Sequence, residues 1–416
     1  MKKYIILLIC GIAILQNFVA CQEQKPKIEA GIYRAVIESK GGELPFGLEF
    51  KKIQNSAKLE AFVINGQEEL KMDELEFFGD SVKIPMDVFD AVLVAKISKG
   101  NLYGYWKKKR KKDSYAILPF SAKLGQSERF ESGILPKINV TGKWETVFIS
   151  DNGKDTTVAV GVFKQNGARV EGTFLTTTGD YRYLAGNVAG DSLKLSCFDG
   201  THLFLFKAVQ KNGQLNGKFW SGTSSLENWT AKPNANAKLP DVKKLTYLKS
   251  GYDGLRFSFP DLNGKMVSLN DDRFKNKVVV VQILGSWCPN CMDESNFLAP
   301  WYQKNKNRGV EIIGLAYEKS SILTEAKPQL ERMIKRFGIS YPILLAGLND
   351  KDSASATLPM LNKVIGFPTM IVIDKNQKIR QIHTGFAGPG TGQYYDEIIS
   401  DFDQLMDKLI VEKPKN

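Results

Sequence analysis

Cysteine is scarce in this 416-residue chain: there are five, two of them within the first 21 residues. That is no disulfide scaffold, so a core must hold the fold together. From Ile28 to about Asn234 no helical period of useful length occurs, which excludes an α-helical reading for that half. The same half shows no cluster of catalytic residue types. A nucleic-acid motif is also missing, although the formal net charge is +12. Six cations in a row, Lys107 to Lys112, account for part of that excess. A solvated hairpin tip is the plain explanation of such a run, and contact with an anionic membrane surface or an acidic partner the sharper one. What remains is ordinary globular composition, 43% apolar and 25% charged, at a length that asks for two or three domains.

The N-terminus carries an address. Lys2 and Lys3 precede an apolar stretch from Tyr4 to Ala20, and Gln22 begins the polar chain. A short basic head and a small residue at the end make this a secretory signal rather than a membrane span. Phe18-Val-Ala-Cys21 resembles a bacterial lipobox, in which the cysteine is lipidated, with Phe18 departing from the usual leucine. The expectation is a lipid on Cys21 and a protein tethered in the cell envelope, facing the oxidising periplasm. Plain cleavage to a soluble form is the alternative. Cys10 leaves with the signal, and Cys197, on an apolar strand, reads as a small buried hydrophobe.

Through the first half, short apolar or alternating runs recur every 8–12 residues with hairpin turns between them, among them Asn65-Gly66, Asn166-Gly167 and Asn212-Gly213. The stretch is also duplicated. Gly31-Ile-Tyr33 corresponds to Gly142-Lys-Trp144, and Gly79-Asp-Ser-Val-Lys83 to Gly190-Asp-Ser-Leu-Lys194, at a constant offset. Two related all-β modules of about seven strands each follow, sandwich or barrel-like. Trp106, Trp144, Trp220 and Trp229 are expected to pack inside them, with ligand stacking as the alternative. The division is a signal at 1–20, β modules at 28–125 and 138–234, a linker at 235–250, and a C-terminal domain at 251–412, where the pattern turns α/β.

The chemistry is concentrated in that last domain. Val278–Leu284 is an apolar, β-branched run that reads as a strand buried on both faces, and Trp287-Cys-Pro-Asn-Cys291 follows it. Pro289 suits the first turn of a helix, and positions three apart share a helix face, so two sulfurs there can bond. Cys288 at the helix start meets unpaired N–H groups and the positive dipole end, which favour a thiolate. It is therefore expected to be the exposed, low-pKa thiol, with Cys291 one turn in.

Strand, Trp-Cys-x-x-Cys, crossover helix and a late Gly366-Phe-Pro-Thr369 before a hairpin together resemble the thioredoxin fold. More narrowly, residues from about Gly254 resemble the membrane-tethered TlpA/ResA-like thiol–disulfide oxidoreductases. The resemblance implies that Cys288 attacks and Cys291 resolves. It makes Pro368 a cis-proline facing the pair, with Trp287 and Phe367 beside the substrate. It also puts Glu294 at the position of an active-site glutamate that takes the proton from Cys291; alternatively, Asp293 and Glu294 only complement the helix start. Disulfide-containing exported proteins would be the substrates and a membrane thiol donor the source of electrons, with no cofactor and no metal. Two departures leave the direction of electron flow open: Gln282 replaces thioredoxin's buried aspartate, and Pro289 follows the first cysteine rather than preceding the second. A peroxidase, a copper chaperone with His383 as third ligand, and a binding lipoprotein whose β modules recruit partners are the competing functions.

Overall fold

A computed structural model of the chain describes residues 27–56, 58–110, 114–125, 128–130 and 133–414. The signal segment, Cys10, Cys21, Lys111 and Lys112 lie outside the described residues.

The two β modules are each built on nine strands, not seven. The extra strands are short and polar, such as Glu68–Lys71 and Glu76–Phe78, too brief for a period-two signal to register. The duplication is visible in the strand positions: Gly31–Ser39 is matched by Gly142–Ser150 and Ser81–Met86 by Ser192–Phe198. The two copies close differently. In the second, Thr156–Asn166 pairs with both Gly142–Ser150 and Arg169–Thr176, and Gly142–Ser150 also pairs with Ser225–Pro233, so the sheet closes into a barrel. Closure removes the exposed sheet edges. The first sheet instead ends at Glu68–Lys71 on one side and Glu76–Phe78 on the other. Trp144 and Trp229 are buried in the barrel and Trp106 in the first sheet, while Trp220 is partly buried. Phe206 and Phe219 stack at 4.1 Å among the barrel's interior aromatic rings.

The C-terminal domain has a five-stranded mixed sheet in the order Ile343–Leu348, Val310–Glu318, Val278–Leu284, Thr369–Ile373, Ile379–Thr384. Every residue of Val278–Leu284 and of Val310–Glu318 is buried, because helices or a hairpin cover both faces. Alternation along the central strand assigns the faces. Val278, Val280 and Leu284 pack with α1 (Pro289–Asn305) and α2 (Leu323–Phe337). Val279, Val281 and Ile283 pack with the hairpin of Ser258–Pro260 and Met266–Ser268 and with the short α3 (Lys351–Thr357). A long α4 (Gln393–Val411) closes the chain. This is the thioredoxin-like arrangement behind an all-β N-terminal half. No helix among the described residues is long and apolar enough to cross a membrane.

The three units are packed on one another. The apolar cluster of the first sheet runs on into that of α1 and α2. Arg332 and Lys319 pair with Asp90 of the first module, and Arg336 with its Asp73. Arg129 binds the carbonyls of Ile64 and Ser196, tying the modules together. The stretch expected to be a linker contributes Ala237 to a small buried cluster with Val160 and Leu175.

Candidate active site

The central strand delivers its chain to α1 through Gly285-Ser-Trp287, and Cys288 is the N-cap of that helix. Its sulfur accepts a hydrogen bond from the Cys291 backbone N–H at 3.2 Å. Pro289, in the first turn, lacks an N–H that would be unpaired there anyway. Cys288 and Cys291 are joined as a disulfide, with Cα atoms 5.2 Å apart. Cys288 is 5% exposed and Cys291 0%, so both are buried and Cys288 is not the exposed thiol expected from its place at the helix start: the packing of Trp287 and the Phe367–Pro368 segment around it covers the sulfur. Facing the pair, the Phe367–Pro368 bond is cis and the Phe367 carbonyl oxygen is 3.6 Å from the Cys288 sulfur. Trp287 donates its indole N–H to the Tyr317 carbonyl at 2.8 Å and meets the Phe367 ring edge-on.

Glu294 follows Cys291 by three residues on α1 and so shares its face. It is fully buried, and neither carboxylate oxygen has a hydrogen-bond partner. Burial pushes its pKa up to about 8. The Gln282 amide lowers it only in part; that amide donates to Ser295 and its carbonyl accepts from Tyr341. A carboxyl in this state exchanges protons near neutral pH, as general-base chemistry requires. A helix-start complement would be solvated and paired, and this one is neither.

Glu318 went unnoticed in the sequence. It ends the strand Val310–Glu318, where its carboxylate accepts from the Ser286 backbone N–H at 2.7 Å and the Ser286 hydroxyl at 2.6 Å. It thus holds the segment that presents Cys288, and burial pushes its pKa up to about 7. The signal was available: a charged residue closing an apolar strand at its carboxyl end, where open α/β sheets gather their sites.

The β modules also reach the site, although their sequence shows no cluster of catalytic residue types. Residues 177–183 of the barrel form an arm across it. Tyr181 turns inward among Phe148, Phe174 and Phe219 and anchors the arm, while its neighbours Asp180 and Arg182 turn outward. Asn290, inside the cysteine motif, donates to the Asp180 carbonyl at 3.4 Å and to its carboxylate at 3.3 Å. The same carboxylate accepts from Gly388 N–H at 2.7 Å. Arg182 pairs with Asp293 of α1, Glu68 of the first module and Asp199 of the barrel. It holds a left-handed backbone (φ 61°), an uncommon conformation for a non-glycine residue. Thr178 lies so close to Gly366 that a Cβ there would meet it at 2.7 Å, and Gly385 is equally crowded. The arm therefore covers one flank of the cis-proline segment. Partners more than a hundred residues away leave no local pattern to read.

Other expected residues fall elsewhere. His383 is buried on the last strand, with Lys243, Asp401 and Asp241 acting on it, and burial pushes its pKa down to about 4. Among the described residues no group of three His, Cys, Asp or Glu side chains is arranged to hold a metal. Cys197 is a buried free thiol. The basic run is not simply a solvated tip. Lys108 bonds Thr201 of the barrel, and burial lowers its pKa to about 8, whereas Lys109 and Arg110 border a cleft beside Trp287.

The Redoxin family matches residues 234–398, starting where the barrel's last strand ends. Among curated relatives, the thiol-disulfide oxidoreductase ResA of Halalkalibacterium halodurans is 30% identical over 138 residues, 33% of this chain and 69% of that protein. ResA of Bacillus subtilis is 28% identical over 138 residues, again 69% of its length. A solved structure described as a putative protein disulfide isomerase from Bacteroides thetaiotaomicron aligns with 20% identity and a TM-score of 0.31, over 40% of this chain and 93% of its own.

Proposed function

The chain belongs to the ResA-like thiol–disulfide oxidoreductases, and from that premise we propose that it reduces or isomerises disulfides of exported proteins, held by lipid on Cys21 to a membrane and facing the periplasm. The observation that carries the reading is the placement of Cys288, at the N-cap of α1 and opposite the Phe367 carbonyl of the cis peptide. Once the pair is reduced, the Cys291 N–H and the helix dipole stabilise a Cys288 thiolate. That thiolate attacks one sulfur of a substrate disulfide. A mixed disulfide forms, and the other substrate sulfur leaves and takes a proton. Glu294 then accepts the Cys291 proton, and the Cys291 thiolate attacks the Cys288 sulfur. The second substrate sulfur departs as a thiol, and the pair, having given two electrons, is a disulfide again. A membrane thiol donor returns it to the dithiol. Trp287 and Phe367 form the wall that the substrate meets.

The test separates the two cysteines. Cys291→Ala should attack without resolving and so accumulate covalent adducts with protein partners, whereas Cys288→Ala should accumulate none. Adducts on Cys291 instead would overturn the assignment, and a full-length protein unable to reduce insulin with dithiothreitol would overturn the activity.

A further inference from the structure

The arm at 177–183 closes one flank of the cysteine pair, so a substrate must come from another side. Two clefts between the first β module and the C-terminal domain adjoin the motif: one of about 840 Å³ runs over Pro289, Met292 and Asp293, and one of about 710 Å³ opens at the residues just before Cys288. The C-terminal wall of the smaller cleft includes Ser286 and Trp287, the two residues before Cys288. Across from them stand Val88 and Phe89 and the end of the strand Asn101–Lys109.

The charge around this cleft is unbalanced. Lys109, Arg110, Lys319 and Arg332 border it, against Asp90, Glu318 and Glu325. Asp90 is shared between Lys319 at 3.0 Å and Arg332 at 2.9 Å. Glu318 spends its carboxylate on Ser286. Among the ion pairs of the described residues, none gives Lys109 or Arg110 a carboxylate partner, and both side chains are exposed. Among the described residues of the Lys107–Lys112 run, Lys109 and Arg110 border this cleft, and the Arg110 guanidinium also donates to the Thr223 hydroxyl of the barrel.

We propose that this cleft is the substrate-docking site, and that it selects extended segments of protein carrying acidic side chains next to their disulfide. The inference rests on the reductase reading above and adds the substrate class to it. An extended segment lying along the cleft would bring its disulfide to Trp287, next to Cys288. Lys109 and Arg110 draw its carboxylates by long-range attraction, which acts mostly on the rate of encounter and fades with salt.

The experiment uses full-length protein, reduced beforehand, and two synthetic peptides that differ only in having aspartate or lysine around the same intramolecular disulfide. Single-turnover rates should favour the acidic peptide by about tenfold at low ionic strength, and the preference should shrink toward one near 0.5 M salt. Lys109→Glu combined with Arg110→Glu should lower the acidic-to-basic ratio at least about fivefold. Because both peptides are measured on the same variant, a general loss of activity cancels in the ratio. Lys218→Glu, on the barrel strand Gln214–Ser221, should leave the ratio as it is. A wild-type ratio near one, or a ratio unmoved by the double reversal, overturns the docking site. If the wild type also fails to reduce a small neutral disulfide, the reductase reading is what falls, and this inference with it.

Discussion

Replacing Glu294 by glutamine should make the protein more stable at pH 8 while damaging its chemistry. The ordinary glutamate pKa is 4.5, and burial holds this one near 8 in the folded chain. The unfolded chain therefore releases this proton first, so stability falls as pH rises from the unfolded value and levels off above the folded one. The shift corresponds to about 5 kcal/mol across that window. Glu318, Glu68 and Asp180 are raised in the same direction, chiefly by burial, so the wild-type curve alone does not single out Glu294. The difference between wild type and Glu294→Gln does. The amide leaves unpaired polar atoms in the same place at a cost of about 1–3 kcal/mol, independent of pH. The variant should thus be equal to or weaker than wild type near pH 5 and about 2–4 kcal/mol stronger near pH 8. Urea unfolding of the oxidised protein at several pH values measures this directly. Two curves that fall in parallel would refute the reasoning, since the buried carboxyl would then not be the titrating group. The same variant should accumulate the mixed disulfide in turnover, because Cys291 has lost the group that takes its proton.

Arg182→Leu should cost about 3–5 kcal/mol, because Glu68, Asp199 and Asp293 lose the cation they surround. It should also speed alkylation of reduced Cys288, and an unchanged rate would mean that the arm does not restrict access. Glu318→Ala leaves the Ser286 N–H and hydroxyl unpaired and should destabilise by about 2 kcal/mol at pH 6. That loss should appear as a lower urea midpoint and slower attack by Cys288. Cys21→Ser should move the protein from the membrane fraction to the soluble one. If it stays bound, the anchor lies elsewhere, with the basic run the first place to look.

What the sequence determined by itself was whatever is encoded locally. The central strand shows as a β-branched run, the helix start as Cys288-Pro-Asn-Cys291, and Gly366-Phe-Pro-Thr369 carries its resemblance within four residues. The duplication was legible because equivalent glycine turns recur at a fixed distance, each needed for its own hairpin. Strand number was less so: Glu68–Lys71 and Glu76–Phe78 are too short to show a period. The pairing that closes only the second copy into a barrel is a choice between edges, and edges have no local signature. Glu294 stood in the sequence as either the group that takes the Cys291 proton or a helix-start charge, and its surroundings separate the two: a fully buried carboxyl with no hydrogen-bond partner has its pKa raised to about 8, where it exchanges a proton near neutral pH. Only the tertiary structure placed Thr178 against the cis-proline segment, Asp180 and Arg182 against the cysteine helix, and Lys109 and Arg110 at the border of the cleft that Trp287 lines. Those contacts join residues about a hundred positions or more apart, and the burial and charge they create belong to the packed domains rather than to any segment of the chain.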